Sequence, residues 1–172
     1  MSESRLTEPW LRGTHTDLPP VQRAVLHALE LAKEDLEKWC GNLTDEQLNA
    51  RPARLTPVAF HIRHIARSID RLLTYAEEGD LNDEQMRALR MELDAGATRD
   101  GVFRELTTAL AKSTDRVGAF AANNLESPRA VGKKQLPTTV GGLLVHIADH
   151  TQRHVGQAIT TAKVVLAQTE QS

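Results

Sequence analysis

The stretch Val140-Gly-Gly-Leu-Leu-Val-His146-Ile147-Ala-Asp149-His150-Thr-Gln-Arg-His154-Val-Gly156-Gln157 decides the fold and carries the chemistry. Three histidines stand four residues apart in it, and residues i and i+4 are neighbours on a helix surface. Advancing about 100° per residue from Ile147 puts Leu143, Val140, Ala158 and Val165 on one apolar stripe, with His154 among them. His150 lies slightly to one side and His146 at the edge. His150 and His154 are therefore directed toward a core, where a neutral imidazole needs partners to offset desolvation. Thr138 or Thr139 is the expected cap of this helix, which runs to about Ala167.

Upstream, Thr56-Pro57 reads as an N-cap followed by proline at the first helical position, and the helix it opens runs to about Glu78 before Gly79. Val58, Ile62, Ile65, Ile69, Leu72 and Ala76 form its main apolar stripe. His61 lies nearer that stripe. His64 falls on a second line with Phe60, Ser68, Arg71 and Tyr75. An interior helix touches two neighbours, so both lines can face inward, and periodicity does not choose between them.

Two further long helices flank this pair. One runs from about Pro19 to Trp39 before Gly41, and the other carries Val102, Phe103, Leu106, Leu110, Val117 and Phe120. Thr44 and Gln47 fit a capping box over a short helical turn. Residues 82–93 read as a shorter, mostly polar helix. Gly96 and Gly101 punctuate the chain after it. Residues 123–137 read as loop, broken by Pro128, Gly132 and Pro137. No strand pattern stands out. The expectation is an all-α four-helix bundle whose longest link, between the second and third long helices, leaves room for a crossover.

The chain has 172 residues, a formal charge of -2 and 26% charged residues, the profile of an ordinary soluble domain. Three Phe, two Trp and one Tyr are too few for a base-stacking platform, and the charge gives no footprint for nucleic acid. No apolar run is long enough to span a membrane, and the N-terminus has no apolar signal core, so a cytoplasmic address is expected. Cys40 is the single cysteine, which excludes a disulfide framework and a cysteine zinc site.

A lone inward histidine is ordinarily a hydrogen-bonded core residue. An i, i+4 pair facing a second helix with its own inward histidine is the pattern of a divalent-metal site. Three imidazoles leave coordination positions open, which is the catalytic rather than the structural arrangement. Zinc is the default ion, with nickel or iron as alternatives. His146, Asp149 and Gln157 are the candidates to orient a ligand ring, although Asp149 falls on the solvent side. His15 and His27 receive no functional reading.

Three segments resemble the DinB-like (DinB/YfiT) superfamily. They are Leu-Thr-Asp-Glu-Gln-Leu-Asn-Ala-Arg-Pro at 43–52, Thr-Pro-Val-Ala-Phe-His-Ile-Arg-His-Ile-Ala at 56–66, and the run from Pro137 to Gln157. The closing His-x-Gly-Gln element, with a histidine four residues earlier, is the most specific part. Many members carry arginine where this chain has Val155. The resemblance implies a bundle at residues 18–168, preceded by an extension at 1–17 and followed by a frayed end at 169–172. It also implies a metal held by His64, His150 and His154, with His61 as fallback or supporting group. Characterised relatives include transferases and isomerases that use low-molecular-weight thiols, while others are described only as metal-dependent hydrolases.

Three functions follow. The first is transfer to or from a small thiol, with Arg67, Arg71, Arg129, Lys133 and Lys134 as candidate contacts for a substrate carboxylate. The second is hydrolysis, for which the sequence offers no evident general base. The third is a non-catalytic metal-binding stress-response protein. A homodimer is compatible with all three, with Trp10 and Leu11 as interface candidates. Neither nucleic acid nor membrane is an expected partner.

Overall fold

The computed structural model describes residues 7–169, so expectations for residues 1–6 and 170–172 lie outside the described residues. The chain is mostly helical, with six α-helices among the described residues: α1 (Pro20–Cys40), α2 (Asp45–Asn49), α3 (Val58–Ala76), α4 (Asp83–Arg90), α5 (Arg99–Gly118) and α6 (Val140–Thr169). Helix α6 packs along α3 and α1, and α5 packs on α3 and more lightly on α1. Ile62, Ile65, Ile69 and Leu73 of α3 meet Leu144 and Ile147 of α6 in a core where each is almost fully buried. Leu73, rather than the expected Leu72, completes the α3 stripe. Burying side chains of this size contributes roughly 1.5–3 kcal/mol each, and that is what fixes α3 against α6.

Most helix ends follow local chemistry. Thr44 and Gln47 make the expected reciprocal cap of α2, and Asn82 and Gln85 make a second one at α4. Thr139 Oγ1 accepts from the Gly142 amide at 3.0 Å and starts α6. Helix α1 stops at Gly41, where a Cβ would collide with the Glu37 carbonyl oxygen.

Four details differ from expectation. Pro57, not Thr56, is the N-cap of α3, and no side chain caps that end, because proline's ring has no acceptor to offer the first amides. Helix α3 ends at Ala76, two residues early, since Glu78 turns into left-handed backbone with φ 65°. Gly101 lies inside α5 rather than before it. Thr98 caps that helix by accepting the Gly101 amide, and a Cβ at Gly101 would stand 2.8 Å from the Thr98 hydroxyl.

The fourth difference is a hairpin in the segment expected to be loop. Strands β1 (Pro128–Val131) and β2 (Leu136–Thr139) pair antiparallel, Pro137 opposite Ala130. A two-stranded ribbon has only edge strands, where proline costs no central ladder bond, so the two prolines did not break it.

Ahead of α1, residues 9–11 form one 3-10 turn. The segment is strapped to α1 by Arg12, which grips Glu34 through both terminal nitrogens at 2.5 and 2.8 Å. Among the described residues no helix is long and apolar enough to cross a membrane.

Candidate metal centre

The α3–α6 seam brings together His64, His150 and His154, and one ring nitrogen from each lies within 4.8 Å of the other two. Ring centroids are 4.4 Å apart for His64–His154, 4.6 Å for His150–His154 and 4.9 Å for His64–His150. The Nε2 atoms of His64 and His150 approach to 3.2 Å. All three side chains are half-buried. The line of His64 and Ser68, which periodicity alone did not rank above that of His61, therefore faces α6.

The opposite side of each ring is held by the protein. His64 Nδ1 meets Glu92 Oε2 at 2.7 Å. His154 Nδ1 meets His61 Nδ1 at 3.0 Å. His150 Nδ1 has the Ser68 hydroxyl at 3.5 Å, a looser contact. Each ring thus turns Nδ1 outward to a supporting group and leaves Nε2 toward the centre. Phe60 lies almost parallel to His64, with 5.2 Å between centroids and 17° between planes, and it touches His61 and His154 edge-on.

The electrostatics suit a donor set. Burial first, and then the neighbouring His64 and Arg153, push His154 down to about 4. Burial, followed by His154 and His64, does the same for His150, also to about 4. Imidazoles in that range are neutral at pH 7 and keep a lone pair for a cation. Burial alone raises the Glu92 carboxyl, but hydrogen bonds from His64 and Arg71 outweigh it and hold Glu92 below its ordinary value. Arg71 Nη1 donates to Glu92 Oε1 at 2.8 Å, so each carboxylate oxygen has a partner.

His61 supports His154 rather than joining the trio. Burial, His154 and His64 push it down to about 4. His146 and Gln157 do not support the cluster as expected. His146 is exposed at the edge, 5.2 Å between centroids from His150, with Asp149 at 3.8 Å. Gln157 is exposed and bonds none of the three histidines. Asp149 is exposed and pairs with Arg153 at 2.9 Å. The candidate carboxylate-binding cations are also redirected: Arg67 holds Glu105, and Arg129 donates to the Ala76 carbonyl. Val155 is buried in the core at 2% exposure.

Glu92 is the residue that sequence reasoning missed. It lies just past α4 and is 5% exposed, while its apolar neighbours Met91 and Leu93 are 47% and 56% exposed. The exposure is inverted here, an acid inward between two hydrophobes outward, and the sequence Met91-Glu92-Leu93 does not show it.

A family model described as the DinB superfamily matches residues 28–158. A solved crystal structure, described as that of the conserved protein of locus from Enterococcus faecalis, superposes with a TM-score of 0.69 at 22% identity, covering 86% of this chain and 98% of its own. Likeness at that identity speaks for the fold alone. None of the curated proteins compared matches the chain.

Proposed function

The chain belongs to the DinB superfamily, and from that premise we propose that it is a zinc-type divalent-metal enzyme transferring a group to or from a low-molecular-weight thiol. The observation that carries this reading is the convergence of three imidazoles whose outer nitrogens are tied back to the protein. His64, His150 and His154 are the proposed ligands, each through Nε2. The four long helices are read as one bundle, with the α3–α5 connection as its crossover.

A divalent ion held there would ionise a bound thiol or water at neutral pH. The protein's own part is orientation and charge. Glu92 fixes the His64 tautomer by accepting from Nδ1 and places a negative charge behind that ring, as carboxylates behind ligating histidines do. His61 fixes His154 in the same way without adding charge. Phe60 covers the flat face of His64 and keeps water from that side.

Thiol chemistry is favoured over hydrolysis by the state of Glu92, the one buried carboxylate among the described residues. Water bound to such an ion would be only partly ionised near pH 7, so hydrolysis still calls for a base to take its proton. Both oxygens of Glu92 are already engaged, by His64 and Arg71, and its carboxyl is held acidic. A thiol is acidic enough to need no such base.

The test is elemental analysis of untagged protein beside His64→Ala and His150→Ala/His154→Ala, followed by a panel of small thiols with electrophiles. One ion per chain in the wild type, lost in both variants, with thiol-dependent turnover, is the expected result. Metal without turnover would leave a metal-binding protein. Turnover on esters or amides but not with thiols would make it a hydrolase.

A further inference from the structure

A cleft of about 710 Å³ lies between α3, α4 and α5, and none of the clustered histidines lines it. Much of its charge is spent on holding the helices together. Arg67 gives Nε to Glu105 at 2.6 Å and Nη1 to the Ala88 carbonyl at 2.6 Å. Arg116 divides its nitrogens among Asp70, Glu77 and Thr74. Gln85 joins the same group, donating to Asp70 and Thr74. These bonds orient the cleft. Arg67, Ala88 and Glu105 mark one end, and Asp70, Thr74, Gln85 and Arg116 mark the other.

The remaining charge is unspent, and it is sorted by sign. Arg71 donates only Nη1, to Glu92. Its Nε and Nη2 have no protein acceptor and are not sealed from solvent, although the side chain is only 11% exposed. Arg104, next to Glu105 and so at the first end, lines the cleft without an ion-pair partner among the described residues. Asp80 and Glu84, flanking the start of α4, line the second end and are equally unpaired. Lys112, one turn before Arg116, has no ion-pair partner among the described residues and lies toward that end, where the two carboxylates outnumber it.

We infer that this cleft binds a small zwitterion, an amino acid or short peptide. Its carboxylate pairs with Arg71 and Arg104, and its ammonium pairs with Asp80 and Glu84. A guanidinium presents a planar fork that matches a carboxylate, and an ammonium brings three donors that carboxylates accept. A pocket between helices with a few convergent polar groups is where such ligands bind. The assignment goes beyond the metal chemistry and does not depend on it.

The experiment is a nitrogen-15 NMR titration of the full-length protein with diglycine. Saturable shifts in α4 and α5 amides are expected. They should weaken by about tenfold in Arg104→Ala, equivalent to about 1.4 kcal/mol, and several-fold in Glu84→Gln. Both residues are exposed and unpaired, so the fold is kept. Succinate, which lacks the ammonium, should bind at least about tenfold more weakly than diglycine. The affinity for diglycine should be unchanged in His150→Ala. Absence of saturable shifts overturns the assignment, as does wild-type affinity in both variants or succinate binding as well as diglycine. Loss of diglycine binding in His150→Ala also overturns it, by moving the ligand to the histidine cluster.

Discussion

Two histidine–glutamate pairs in this molecule have the same length and opposite consequences. His64 meets Glu92 at 2.7 Å, and His15 meets Glu30 at 2.7 Å. In the first pair the carboxylate takes Nδ1, and Nε2 is left to converge with His150. In the second it takes Nε2 itself, and the neighbouring His27 spends its own Nε2 on Thr14 at 3.1 Å. The rings of His15 and His27 are 5.6 Å apart, close to the spacing in the cluster, yet their outer nitrogens do not meet. Burial differs as well: Glu92 is 5% exposed and Glu30 37%. Proximity of imidazoles and carboxylates therefore does not make a ligand set. What separates the two pairs is which ring nitrogen the carboxylate occupies.

The sharpest way to break this contrast is to delete each pair. His150→Ala/His154→Ala should remove bound metal altogether, while His15→Ala/His27→Ala should leave the full complement, both measured by elemental analysis of untagged protein. Metal lost equally from both variants would erase the distinction.

Next in size is the supporting carboxylate. Glu92→Gln keeps the shape and removes the charge behind His64, and it should lower zinc affinity by about 10–100-fold in competition with a chromophoric chelator. Glu30→Gln should leave that affinity unchanged.

A pH scan sharpens the contrast further. In metal-free protein His61, His150 and His154 are held at about 4, against 6.5 when unfolded. Between those values the unfolded chain binds more protons, so stability is fully present above about pH 6.5 and falls as the pH drops toward 4. The unfolding temperature should decline over that window, and bound zinc should flatten the decline down to the pH at which the ion leaves. A flat profile in the metal-free protein would mean that the rings are not held neutral by the fold.

The smallest effect belongs to the strap. His15→Ala removes a hydrogen bond to Glu30 near the surface, which is worth about 1 kcal/mol, and should barely move the unfolding temperature.

The fold was legible wherever one helix face had to be buried. Ile62, Ile65 and Ile69 announce α3, and Leu143 and Ile147 announce α6, because helical period and burial coincide there. The pair His150 and His154 was visible for the same reason. The choice of His64 over His61 was not, since α3 is covered on two sides and both residues sit against α6 neighbours. The resemblance of the Arg-His-Ile segment pointed to His64 where periodicity was silent. Glu92 was out of reach because its contact with His64 spans 28 residues, across a helix with no buried residue of its own. The hairpin was hidden by Pro128 and Pro137, which read as breakers but sit on edges.

That sparsely anchored helix has a further consequence. Helix α4 is fastened by its capping box, by Gln85 to Asp70 and Thr74, and by Arg67 to the Ala88 carbonyl, with no hydrophobic side chain inserted. Its local opening therefore costs less than that of the long helices, and its amides should exchange with deuterium ahead of those of α3 and α6. Glu92 hangs from its end. Each opening of α4 would withdraw the carboxylate from His64, so the rate at which an ion held there would escape should be tied to the breathing of a helix that never touches it.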